Sequence, residues 1–92
     1  MAKYRKRPVV VEAVQWFKHG DHAEVTRCGR QEFDTLTDNK TNVAGWGWDA
    51  CGVVGTREGR HLVMPGDWII QGIANELYPC KDSIFKATYE EV

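Results

Sequence analysis

Little in this 92-residue chain advertises a chemistry. It has only three cysteines, Cys28, Cys51 and Cys80, an odd number with no Cys-x-x-Cys pair. That argues against a disulfide framework and for a reducing compartment, read here as the cytoplasm. The one apolar run after the basic start, Val9, Val10 and Val11, is cut off by Glu12. It is too short for a signal-peptide core or a membrane span, so no membrane partner is expected. Charge of one sign is lacking as well: 12 Lys and Arg against 13 Asp and Glu leave a formal net charge of −1. No global footprint of a nucleic-acid binder results. The local basic cluster of Lys3, Arg5, Lys6 and Arg7 would make at most a weak, salt-sensitive phosphate contact, and it reads as a solvated lead-in. Glycine forms neither a Walker-type nor a dinucleotide-binding pattern. With no repeat, low-complexity stretch or linker, the chain is a single domain near the lower size limit of a self-sufficient core.

What is present in excess is tryptophan. Four Trp stand among 11% aromatic residues, and each can bury about 200 Å². One small core does not need them all.

The stretch Met64-Pro65-Gly66-Asp67-Trp68-Ile69-Ile70-Gln71-Gly72 organises the rest. Pro65 presets φ at the second position of a type II turn and Gly66 tolerates the positive φ of the third. Trp68, Ile69 and Ile70 then supply the bulk of a buried strand, and a second reversal at residues 72–75 returns the chain as Glu76-Leu77-Tyr78 up to Pro79. Upstream, residues 9–17 are apolar on both alternating faces apart from Glu12 and Gln15, which predicts a strand central in its sheet. Asp21 and Glu24 have capping-box spacing and Gly29 suits a helix end, predicting a helix over residues 22–28. Residues 31–37 predict a strand, residues 43–52 an irregular or edge strand, and residues 53–56 and 61–64 a hairpin around a loop at Arg57-Glu58-Gly59-Arg60. A last helix over residues 84–89 would be capped by Asp82 or Ser83. Together these predict a compact α+β domain: a mostly antiparallel sheet of five to six strands with two short helices.

The two ends of the chain carry a resemblance. Tyr4-Arg5-Lys6-Arg7-Pro8-Val9-Val10-Val11-Glu12-Ala13-Val14-Gln15-Trp16 opens it, and Pro65-Gly66-Asp67-Trp68-Ile69-Ile70-x-Gly72, Tyr78-Pro79-Cys80-Lys81 and Phe85-x-x-Thr88-Tyr89-Glu90 close it. As an ordered set these blocks resemble a group of small uncharacterised proteins of tailed bacteriophages and prophages. The middle, with Gly45-Trp46-Gly47-Trp48, departs from that pattern, and Lys81 precedes Asp82 directly where members of the group usually have Pro. The resemblance implies phage origin and an accessory role, and it brings no catalytic residues with it.

Candidate sites divide by chemistry. His19, His22 and Cys28 lack a fourth ligand at customary zinc spacing, so neither a metal nor another cofactor is expected. Cys80 beside His61 or Lys81 would need a base within hydrogen-bond reach to become a nucleophile. Asp67 suits a turn-capping role. Trp46 and Trp48 alternate to one face if extended, and they read either as core or interface plugs or as a stacking platform for a planar ligand. In the second case Arg57, Arg60 or Lys81 would lie near the ligand's phosphates, with stacking worth about 1–3 kcal/mol per base. The leading functional expectation is a non-catalytic accessory protein that binds a host defence or regulatory factor, or sequesters a small nucleotide signal, and that forms a homo-oligomer. The alternatives are a small nucleotide or nucleic-acid hydrolase, with His61 as general base and Asp67 or Glu76 as partner, and a minor virion or assembly component.

Overall fold

The computed structural model describes residues 1–5 and 7–92; Lys6, a member of the expected basic lead-in, lies outside the described residues. Its elements run β1 (Glu12–Gln15), β2 (Thr26–Arg27), α1 (Arg30–Thr37), β3 (Gly52–Thr56), β4 (Gly59–Val63), β5 (Trp68–Gln71), β6 (Leu77–Cys80) and α2 (Asp82–Thr88). A single 3-10 turn, Trp48–Ala50, leads into β3. The architecture is α+β and every strand pairing is antiparallel, but the strands divide between two sheets, ordered β1-β5-β6 and β2-β3-β4.

The turn ahead of β5 forms as its residues dictate. Gly66 takes φ 97° and the Asp67 N–H donates to the Met64 carbonyl at 3.0 Å. Downstream, β6 continues through Pro79 to Cys80 instead of stopping before it. Proline is tolerated there because β6 is an edge strand, whose missing N–H is not needed by a further neighbour. The β3–β4 hairpin is tighter than expected. Thr56 pairs with Gly59, so only Arg57 and Glu58 form the loop, and Gly59 supplies the positive φ of 118°.

β3 is the hub, because its two faces meet two different cores. Val54, with Val63 of β4, packs against Trp16, Val25 and Ile69 between the sheets. Val53 faces the other way, with Cys28, Phe33, Cys51 and Met64 under α1. α2 lies over the first sheet, where Phe85 stacks on Trp68 at a 4.0 Å centroid separation and Tyr89 stacks on Phe85. Tyr78 and Tyr89 join hydroxyls at 3.4 Å.

Further expectations from the sequence are corrected. Residues 22–28 are not a helix: the Asp21 carboxylate reaches back to the Phe17 and Lys18 N–H groups instead of forward, and Thr26 and Arg27 pair with Val53 and Gly52. Residues 31–37 are not a strand but most of α1. Gly29 is the N-cap in extended conformation, and Phe33 and Thr37, four apart, share the buried face. The helix ends in the left-handed Asp38 at φ 58°, not at Gly29. Finally, residues 9–17 do not form a central strand. Only Glu12–Gln15 forms a strand, at the sheet edge, with Trp16 adding backbone bonds to Gly66 and Asp67; ahead of Glu12 the pairing stops because β5 is four residues long and turns away at Gly72. Val9 and Val10 are consequently exposed. Asp82 also departs from expectation: it is the first residue of α2 and caps nothing, while Lys81 holds the N-cap position without a side-chain bond.

Candidate functional site

Residues 43–50 project as a small tongue. Val43 and Trp46 exchange backbone hydrogen bonds at 2.9 Å in both directions, closing a tight reversal over Ala44 and Gly45. Both carry positive φ, 51° and 86°, which glycine accepts freely and alanine adopts at a cost. Gly47 then leads into the 3-10 turn, which packs on α1. The expected irregular strand is therefore a bridge and a turn. Val43 anchors its base in the core under α1. The two indoles are left outside: Trp46 and Trp48 are each 42% exposed, whereas Trp16 is fully buried and Trp68 is stacked under Phe85.

The three cations expected beside the rings are each held by an acid. Arg60 on β4 makes a two-pronged contact with Glu32 of α1, Nε to Oε2 at 2.6 Å and Nη2 to Oε1 at 3.2 Å. That pairing draws the Glu32 carboxyl below its ordinary range and raises the guanidinium. Lys81 lies 3.4 Å from the Asp67 carboxylate and 3.8 Å from the Met64 sulfur. Arg57 sits at the far end of β3 from the tongue, about 17 Å along the strand. It faces Glu76 across 3.8 Å, the loosest of the three pairs, with 67% of its side chain exposed. Glu32 and Glu76 are the partners that sequence reasoning missed. Glu32 stands 28 residues from Arg60 and in a helix that was read as a strand, so no local signal announced it.

Arg57 lines two adjoining shallow depressions of about 320 and 390 Å³ between the β3–β4 loop and the β5–β6 turn. Thr56, Glu76 and Leu77 border both, and neither Trp46 nor Trp48 reaches them. Of the five expected binding residues, Trp46 and Trp48 thus stand on the tongue, and Arg57, Arg60 and Lys81 each stand in an ion pair of their own.

The other sequence candidates fall into structural roles. Asp67 is buried and accepts the Met64 N–H at 3.0 Å, clamping the turn as its position suggested. His61 shares no hydrogen bond with Asp67, and Glu76 is occupied by the Ala74 N–H and by Arg57. Burial, then the Asp67 charge, pushes the Cys80 thiol upward, the reverse of an activated nucleophile. Among the described residues, no three His, Cys, Asp or Glu side chains converge where a metal ion would be held. No helix there is long and apolar enough to cross a membrane. No family model, curated protein or solved structure matches the chain.

Proposed function

We propose that this chain is an accessory protein of a bacteriophage or prophage that acts in the host cytoplasm by binding, without catalysis, and that its target is a host defence or regulatory protein gripped by Trp46 and Trp48. The observation that carries the reading is the pair of half-exposed indoles on a tongue whose base is fixed in the core. Rigid aromatic side chains at a surface give large contact area for little ordering entropy, which is why Trp dominates binding hot spots. The terminal blocks that resemble phage proteins support the origin. Homo-oligomerisation belongs to the same reading, since a second copy would enlarge a small core.

Sequestration of a small nucleotide is the second reading, favoured by one observation: Arg57 is loosely paired and lines a depression. It has no aromatic platform there except Tyr78 at the margin.

Native mass spectrometry of the chain purified from a bacterial host tests both. The proposal expects a retained host polypeptide at fixed stoichiometry, lost from a Trp46→Ala, Trp48→Ala double variant that still folds. A retained small molecule, lost instead on Arg57→Ala, replaces it with the nucleotide reading. Retention of neither overturns both.

A further inference from the structure

The register of β2 and β3 brings two cysteines together. Thr26 pairs with Val53 and Arg27 with Gly52, so one further step along the antiparallel pair sets Cys28 opposite Cys51. Both side chains enter the same buried cluster under α1, with Phe33, Val53 and Met64. The alternation of faces agrees: Val25, three residues ahead of Cys28, joins the other core, while Val53, two residues beyond Cys51, shares the core of the two cysteines. Both thiols are free.

Opposed residues of an antiparallel pair stand about 4.5–5.5 Å apart between Cα atoms, inside the span of about 4.4–6.8 Å that a disulfide bridges without backbone movement. The two groups also stand within electrostatic reach: burial first, and then a charge on Cys28, raises the Cys51 thiol. Cys80 is the odd thiol of the three. It lies on β6 opposite Trp68, and its Sγ turns to the Lys81 carbonyl at 3.6 Å.

We infer that Cys28 and Cys51 form a reversible modification site, at which a small disulfide of the glutathione class oxidises the pair to an intramolecular bond that closes residues 29–50, with α1 and the tongue, into a loop. The Cys28 thiolate attacks one sulfur of the oxidant and expels the other as a thiolate, leaving a mixed disulfide on Cys28. The Cys51 thiolate then attacks Cys28 Sγ and expels the second small thiolate. Two cysteine sulfurs are oxidised, the two sulfurs of the small disulfide are reduced, and the cysteine protons end on the two small thiols released. Cys28 takes the first attack because it is the less sealed, at 4% exposure against 0% for Cys51, and because it follows a strand of only two residues. Burial raises both thiols, which leaves few thiolates near neutral pH and makes the exchange slow there. Excess thiol runs the same steps backward, so the bond is compatible with a reducing compartment.

Equilibration of a Cys80→Ser variant in mixtures of reduced and oxidised glutathione tests the pair, once in buffer and once in urea. Mildly alkaline pH speeds the exchange, and acid quenching, alkylation and peptide mass mapping follow when the ratio is constant. Residue 80 belongs to neither buried cluster, so the variant keeps its fold. The expected product in buffer has Cys28 linked to Cys51 within one chain, no free thiol and no glutathione adduct. Its oxidation equilibrium should exceed that of the urea-unfolded chain about 100-fold, because a bond that fits the native structure stabilises it by the same factor over a loop of this length. The oxidised form should also unfold at higher temperature, and dithiothreitol should restore the midpoint of the reduced form. The unsubstituted chain, mapped in the same way, should show the same link with Cys80 outside it, so the test does not depend on the variant. An oxidation equilibrium no greater in buffer than in urea overturns the inference. So does a native product that carries glutathione separately on Cys28 and Cys51, or that links either of them to another chain.

Discussion

Asp67 shows how one buried side chain holds the frame. Its carboxylate takes the Met64 N–H across the reversal that launches β5, while Lys81 approaches from the start of α2. Replacing it by alanine strands a buried N–H, and Asp67→Ala is expected to lose about 2–3 kcal/mol in urea unfolding. Cys51 is the second informative residue. Complete burial, reinforced by the neighbouring Cys28, pushes its thiol from 9.0 up to about 11. The fold favours the protonated thiol, so the stability linked to this group is complete below pH 9 and is lost as pH rises through about 11. Equilibrium unfolding across that window should therefore show stability falling with pH. Cys51→Ala should start lower and lose this part of the slope, keeping the decline from the raised thiols of Cys28 and Cys80 and the later one from Tyr78, whose hydroxyl is raised to about 12 by its bond to Tyr89. A parent protein whose stability is flat from pH 9 to 11 would refute the assignment.

At the scale of elements, β3 is constrained on both faces, and Gly52 is its tightest point. A Cβ there would overlap Val25 Cγ1 and press on the Trp16 ring and the Thr26 carbonyl. Gly52→Ala should cost about 1–3 kcal/mol by thermal or chemical melting, despite being a favourable change for an exposed strand. The tongue behaves oppositely. Its indoles belong to neither core, so Trp46→Ala and Trp48→Ala should each shift stability by less than about 1 kcal/mol. The same contrast explains what could be read from the sequence. Local chemistry was legible: the Pro65-Gly66 turn, the hairpin around residues 57–60, the clamp at Asp67 and the final helix all depend on neighbours in the chain. The exchange of helix and strand between residues 22 and 37 was not. Capping-box spacing at Asp21 and Glu24 competes there with the four-residue period of Phe33 and Thr37, and only docking on β3 favours the second. The edge position of β1 was equally hidden, since an apolar run looks alike whether strands flank it on one side or on both. At the candidate site, the surplus of tryptophan was visible and its exposure was a sound expectation. What the sequence did not disclose is that Arg57, Arg60 and Lys81 each find an acid distant in the chain, Glu76, Glu32 and Asp67.

At the scale of the molecule, the account assigns different work to different surfaces. β1 stands at a sheet edge, the ion pairs hold helices and turns to the sheets, and the tongue carries the two outward indoles of the proposed binding surface. Partition of the four tryptophans follows directly: Trp16 sealed, Trp68 stacked, Trp46 and Trp48 outward. The most direct measurement of that partition is iodide quenching of tryptophan fluorescence, with Trp46→Phe and Trp48→Phe variants to assign the signal, over concentrations that span self-association. The account predicts that the emission of Trp46 and Trp48 stays quenchable in the isolated protein at every concentration and becomes protected only when a host partner is bound. Protection of both indoles in the isolated chain, whether dilute or self-associated, would contradict it.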